Sequence, residues 1–372
     1  LIVLQAGTDL ASSLENVEIR GTAGIAREGW ITTGGVTFYE SPDVLNHCFL
    51  LDSVAEDAIN VLRAKFQFTD TEFGNIASDA FDGDFVQGKI EDCAFHDVRG
   101  DAIDVSGSNI TVERVRLLRV HDKGISAGEG SIVKATDVQA ANVGMAIASK
   151  DMSQVTADDV HIARAWVAGL AAYLKKMEYG PATIQASNVV FGDNSPQSLV
   201  QTGSSVSING KAAKTTDLDI AGLYEELEAL ARIQVLDYYL GPTIRLIGYE
   251  LHTPEIKPGE EISLTLYWQA DARPEHDYKI FVHILDASDA IVAQHDNMPK
   301  NNSLPTTHWQ DGSRIDDLHR IPLPLDLPAG EYRVVLGMYL YPTGERLPVY
   351  RPNASMIPDG AIVLAHTIHV SK

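Results

Sequence analysis

The sequence predicts an all-β chain: a right-handed parallel β-helix of about eight coils, a short capping helix, then an antiparallel β-sandwich. Two ladders of residues with one period carry the first part. The first is a polar residue followed by a short apolar strand, as in Asn16-Val17-Glu18-Ile19, Asp70-Thr71-Glu72-Phe73, Asp92-Cys93-Ala94-Phe95 and Arg114-Val115-Arg116-Leu117. It also recurs at His47, Asp137, Asp159 and Asn188, and counted from Val17 the steps are 31, 23, 22, 22, 23, 22 and 29 residues. The second ladder, Ile59, Phe81, Ile103, Ile125, Ile147 and Leu170, steps by 22, 22, 22, 22 and 23. A change of pattern near Thr243, to short strands between Pro/Gly turns, carries the second part.

The repeat is strand-like. Ile110-Thr-Val-Glu-Arg-Val-Arg-Leu117 alternates with period two and is rich in β-branched residues. A unit of about 22 residues is too short for a helix pair, and the leucine-rich-repeat signature is absent. Stacked coils place equivalent residues about 4.8 Å apart. Residues 1–217 carry this domain, with insertions around Gly21–Ser41 and Tyr173–Pro181 that interrupt the period. Insertions in a solenoid fall on one face, often the binding face.

Residues 218–242 are read as capping helix and linker. The stretch 220–234 is amphipathic, Asp217 or Asp219 is a suitable N-cap, and the open end of a solenoid needs a cover. Residues 243–372 form the sandwich, with strands expected at 244–251, 261–270, 278–286, 290–296, 313–321, 331–341 and 361–370. Of Trp268 and Trp309, one is expected in the core and one in a loop.

Composition limits the function. With 29 basic and 51 acidic residues the formal charge is −22, so there is no basic stripe for nucleic acid. Cations, neutral glycans or solubility suit such a surface better. No run of apolar residues is long enough for a membrane span. Cys48 and Cys93 occupy one coil position two coils apart, about 9.6 Å by the strand spacing. A disulfide needs Cα atoms within about 7 Å, so both are expected as buried thiols. The chain begins at Leu1 without Met and reads as a trimmed piece of something longer.

Chemistry is expected on one outward strip. Because side chains alternate, the residue after each rung of the isoleucine ladder points out: Asn60, Asp82, Asp104 and Ser126. Two residues before each rung lie Asp57, Asp79, Asp101 and Lys123, and Asp84 lies further along. Stacked carboxyls repel, so they raise one another's pKa or recruit a cation. Three readings stay open. Asp79, Asp82, Asp101 and Asp104 could bind calcium. Asp82 and Asp104, with Lys123, could form an acid/base set, since carboxyls about 5 Å apart suit retaining hydrolysis. Or the aspartates satisfy backbone groups at turns.

Later coils add Lys150, Lys175 and Lys176 near Glu129 and Asp151, as substrate contacts or as surface ion pairs. A lysine above carboxylates could serve as a lyase base if its pKa fell. Tyr173 and Tyr179 in the late insertion, and Trp30 and Tyr39 in the early one, could stack on sugar rings or plug the core.

Ser78-Asp-Ala-Phe-Asp-Gly-Asp84, Gly100-Asp-Ala-Ile-Asp-Val-Ser-Gly-Ser108 and Asp122-Lys-Gly-Ile-Ser-Ala-Gly-Glu-Gly-Ser131 resemble the pectate-lyase-like superfamily over about 200 residues. Asp122-Lys-Gly-Ile-Ser-Ala-Gly-Glu129, Ser149-Lys150-Asp151 and Tyr173-Leu-Lys-Lys-Met-Glu-Tyr-Gly180 also resemble bacterial surface-associated β-helix proteins. The hydrolases of that superfamily read Asp-Asp and then Gly-His-Gly where this chain holds Gly100-Asp101 and Asp122-Lys123-Gly124. In the second domain, Ile262–Trp268 and Tyr278–Leu285 resemble immunoglobulin-like modules of bacterial surface and carbohydrate-active proteins.

Together these imply an extracellular or cell-surface protein that holds a polysaccharide or cell-surface glycan along the β-helix. A polysaccharide lyase or glycoside hydrolase is the alternative. A self-associating structural spacer is the third reading.

Overall fold

The computed structural model describes residues 1–4, 10–27, 30–192, 195–341, 343–352 and 354–371. It divides into two compact units, Leu1–Ala231 and Arg232–Lys372.

Unit 1 is the parallel solenoid. Each coil has three strands, and each pairs in parallel with its counterpart in the next coil. On the first face Asp57–Leu62, Asp79–Asp84 and Ile103–Ser106 stack, with Ile59, Phe81 and Ile103 in register. The second face stacks Lys65–Thr69 on Gln87–Glu91, and the third stacks Glu72–Ile76 on Ala94–Val98. From residue 109 the coil is nearly one bent strand, Asn109–Gly128, then Ile132–Lys150, then Gln154–Tyr173. The ladder Ile59, Phe81, Ile103, Ile125, Ile147 and Leu170 is wholly buried, as its period predicts. Phe73 and Phe95 stack with ring centroids 4.6 Å apart. Cys48 and Cys93 are buried free thiols.

The polar residue that opens each unit of the first ladder is the corner of the coil. Asn16, His47, Asp70, Asp92, Arg114, Asp137, Asp159 and Asn188 all adopt left-handed φ between 47° and 55°. Asn and Asp tolerate this conformation best, which explains the polar bias. A second corner stacks Arg63, Phe85, Gly107 and Glu129. Phe85 is a poor residue there: φ is 55° and the ring is 57 % exposed. Replacing it with Asn should relieve left-handed strain, and we expect Phe85→Asn to raise unfolding stability by about 1 kcal/mol in urea titrations.

Both insertions border the first face. The early one holds the hairpin Ile25–Arg27/Trp30–Thr32 just before the strand Gly34–Tyr39, though the Trp30 ring lies outside the described residues. The late one follows Tyr173. The helix, Ile220–Arg232, is seated differently from the expected cover over the last coil. Its Leu223 and Leu227 bury against Met145, Ala148, Ala168, Ala171 and Tyr173. These are outward residues of the first face, so the helix caps a flank of the late coils. The sequence allows it: the outward column Asn60, Asp82, Asp104, Ser126 becomes Ala148 and Ala171 where the helix lands.

Unit 2 has two mainly antiparallel sheets around one core. One runs Arg314–Pro322, Glu261–Ala270, Ile244–Leu251, Gln234–Leu240, Val349–Tyr350, Met356–Ile357. The other runs Glu255–Ile256, Ile362–Val370, Gly330–Leu340, Tyr278–Leu285, Ile291–Asn297. The seven expected strands are present; Gln234–Leu240, read as linker, is an eighth of comparable length. Trp268 lies on the strand Glu261–Ala270 and Trp309 in the loop after Thr306–His308, as one core and one loop residue, but the loop turns Trp309 inward and both rings are buried in the core. Among the described residues no helix is long and apolar enough to cross a membrane.

Candidate functional site

The structure brings the two aspartate columns together on the first face of unit 1. Registers pair Asp57 with Asp79, Asn60 with Asp82, Asp82 with Asp104, and Asp104 with Ser126. The columns run along the stack at about 4.8 Å per coil. At one end the strip stops against Tyr173 and the helix residue Tyr224, whose hydroxyls are 3.1 Å apart.

The first column is partly structural. Asp79 Oδ1 accepts the backbone N–H of Asp101 at 2.7 Å, and Asp101 Oδ1 accepts that of Lys123 at 2.9 Å. Each carboxyl therefore ties its coil to the next, as the turn reading expects.

The end nearest the helix is charge-matched. Lys123 is only 2 % exposed, with Nζ 3.0 Å from Asp101 and 2.5 Å from Asp122. It also lies 5.4 Å from the Tyr224 ring centroid. Burial opposes its charge, but Asp101 and Asp122 outweigh that and hold its pKa well above the usual value. A lyase base needs the opposite shift, so Lys123 is an ion-pair partner here. Lys150, also buried, reaches to 3.5 Å from Asp104. Burial alone would raise the Asp104 pKa; Lys150 and then Lys123 bring it below the ordinary value.

The other end is unmatched. Burial, then Asp57 and Asp84, push Asp82 up to about 9, and its Oδ2 accepts from Asn60 at 2.7 Å. Burial and Asp101 raise Asp79. Asp57 is 4 % exposed and sits at about 6, pushed up chiefly by burial and partly offset by Thr33. Its Oδ2 has no hydrogen-bond partner. Asp84 is raised by burial and by Glu129. Among the described residues, oxygens of Asp79, Asp101 and Asp104 lie within 4.8 Å of one another, the one such triad that could share a cation. Asp82, the fourth residue of the expected calcium set, is not in that triad.

The remaining candidates take other roles. Asp151, 1 % exposed, accepts the backbone N–H groups of Lys175 and Lys176 at 2.7 Å each, and so anchors the late insertion. Lys176 pairs with Glu129, whose other oxygen is 3.4 Å from the Tyr179 hydroxyl. Lys175 stands 4.4 Å from the Tyr224 ring centroid. Tyr173 is wholly buried, so its ring has no face open to a sugar; it packs under the helix instead. Tyr179 is half-buried and Tyr39 is 37 % exposed. Tyr224 and Asp122 were not expected in the site, and Asp57 was expected only as a member of the column. Asp122 adjoins Lys123 in sequence, whereas nothing in the sequence seats Tyr224 here.

A sizeable concavity of unit 1 lies elsewhere. A groove of about 970 Å³ follows the third face, floored by Ala94, Leu118, Ala141 and Gly192. Its histidines are already paired, His96 with Glu72 and Asp97, His161 with Asp159. Volume alone favours this groove. The strip instead holds buried carboxyls that lack counter-charges, and buried polar groups are costly unless something binds them.

No protein-family model and no curated protein matches the chain. Among solved structures, the chain resembles the C-terminal domain of wzt, at 13 % identity and TM-score 0.24, over 36 % of this chain and 77 % of that one. It also resembles full-length tailspike protein 2 from Escherichia coli O157:H7 bacteriophage CAB120, at 10 % identity and TM-score 0.24, over 91 % of this chain and 63 % of that one. The enzymatically active domain of the bacteriophage CBA120 tailspike protein 2 gives 10 % identity and TM-score 0.21, over 96 % and 69 %. At such scores these likenesses carry no functional argument, and the functional reading rests on the strip.

Proposed function

We propose that unit 1 is a glycan-binding β-helix of an extracellular or cell-surface protein, holding an extended chain along the first face. The observation that supports it best is the strip itself. Asn60, Asp79, Asp82, Asp84 and Asp104 offer half-buried or buried polar groups at one coil spacing, bordered by Tyr179 and Lys176 and ended by the helix. A carboxyl kept protonated, as at Asp82, is a hydrogen-bond donor as well as an acceptor, which suits sugar hydroxyls. Unit 2, read as an immunoglobulin-like sandwich, assists as spacer or second binding module.

The test is thermal unfolding of the full chain against a panel of neutral, acidic and basic polysaccharides. A glycan at 100 times its Kd adds about 2.7 kcal/mol to the unit that binds it. We expect a raised unit 1 midpoint that Asp82→Ala with Asp104→Ala abolishes. No shift with any glycan would sink the reading.

One observation favours a second reading, a retaining glycoside hydrolase. Asp82 is pushed up to about 9 while its register neighbour Asp104 is lowered. A protonated and an ionised carboxyl about 5 Å apart are the acid and nucleophile of that mechanism. Release of reducing ends with retained anomeric configuration, lost in Asp82→Asn, would establish it. Binding without turnover would leave the binding module.

A further inference from the structure

We infer that the strip takes a ligand carrying an ammonium group, an amino sugar with a free amine, seated between Asp57 and Asp82 at the end away from the helix. This rests on the glycan-binding reading and names the substrate class.

At the helix end of the strip two ammonium groups already sit on the columns: Lys123 Nζ on Asp101 and Lys150 Nζ on Asp104. One coil toward the N-terminus the same columns hold Asp79 and Asp82, and two coils away Asp57; among the described residues no lysine forms an ion pair with any of the three. The carboxyls continue while their counter-charges stop. The backbone does not require the Asp57 carboxyl: Asp79 N–H is taken by the Glu56 carbonyl, so Asp57 does not repeat the tie that Asp79 and Asp101 make.

A second observation points to a missing partner. Asp57 is 96 % buried, since its exposure is 4 %, and its Oδ2 makes no hydrogen bond. Its carboxyl acts most strongly on Asp82 among the charges that raise that residue. A buried acceptor left unpaired costs about 1–3 kcal/mol. An ammonium has three donors and no acceptor, the complement of a nest of carboxyl oxygens. With it bound, Asp57, Asp79 and Asp82 would ionise and release protons, because a nearby cation favours the charged form.

Amine ligands separate this inference from the broader reading. Calorimetry on the full chain at pH 6 would compare a chitosan pentamer, the N-acetylated chitin pentamer, spermine and calcium chloride. We expect the chitosan pentamer to bind at least tenfold more tightly than its N-acetylated counterpart, and spermine to bind as well. We expect proton release, seen as a heat that differs between buffers of different ionisation enthalpy. Asp57→Asn and Asp82→Asn, near-isosteric and checked by circular dichroism, should each weaken the amines tenfold or more. Equal binding of the two pentamers would overturn the ammonium inference and leave glycan binding standing. Failure of both amines would overturn it whichever neutral glycans bind. A response to calcium alone would replace it with a metal site, and amine binding unchanged in both variants would place the amine elsewhere.

Discussion

Lys123→Met should be among the most destabilising single substitutions on the first face of unit 1, at about 3–5 kcal/mol. The side chain is 2 % exposed and its ammonium touches Asp101 and Asp122. Removing it leaves Asp101, itself 4 % exposed, as a buried carboxyl without its cation. The cost is the stranded charge rather than the worth of the pair, so it should shrink when the partner is neutralised too. Lys123→Met with Asp101→Asn should recover much of the loss, and a double-mutant cycle reads the coupling. The predicted fall in midpoint is on the order of 10 °C for a unit of this size. A fall of less than 2 °C would mean that Lys123 holds nothing together, and the matched end of the strip would lose its meaning.

That ion pair also shows what the sequence could and could not reveal. Coil count, ladder and columns follow from periodicity, because in a parallel stack a residue 22 positions on is a neighbour in space. Asp82 over Asp104, and Asp79 over Asp101, are therefore arithmetic. The eight polar residues that open the units proved to be corners for an equally local reason, their left-handed φ. What the sequence did not show is everything set by a segment folding back from outside the repeat. The helix could only be read as amphipathic, and its seat on Ala148 and Ala171 decides that Tyr173 is buried and that the strip ends there. Lys150 was visible in the late coils, but its reach back to Asp104 depends on rotamers that no period specifies. In unit 2 the strand Gln234–Leu240 was missed because it follows the helix directly, with no turn signal between them.

The two units should respond to pH in opposite directions. In unit 1, Asp82 is pushed up to about 9 and Asp43, whose carboxyl oxygens lack partners, up to about 8, both chiefly by burial. A folded pKa above the unfolded 3.8 means that the unfolded chain loses its proton first as pH rises. Stability is then fully present below pH 3.8 and is lost as pH climbs through the folded values. In unit 2, His295 is shifted the other way, first by burial and then by His319. Asn297 Nδ2 donates to His295 Nε2 at 2.8 Å, His295 meets His319 through Nδ1 atoms 2.9 Å apart, and His319 Nε2 donates to Asp317 at 2.9 Å. One order of protons satisfies this chain, and it needs both rings neutral. Asp317, Asp296 and Glu261 favour a charged His295 but do not outweigh burial and His319. Because the folded pKa lies below 6.5, unit 2 keeps this contribution above pH 6.5 and loses it as pH falls. Hydrogen exchange on the full chain at pH 5 and pH 8, corrected for intrinsic rates, reads each unit separately. Protection should be greater at pH 5 in unit 1 and at pH 8 in unit 2. Asp82→Asn should stabilise unit 1 at pH 8 by about 3 kcal/mol and leave it unchanged near pH 4, since it only removes a charge the site cannot hold. A unit 1 that instead gains stability from pH 5 to pH 8 would mean these carboxyls are ionised and already matched, and the case for a cationic ligand would go with them.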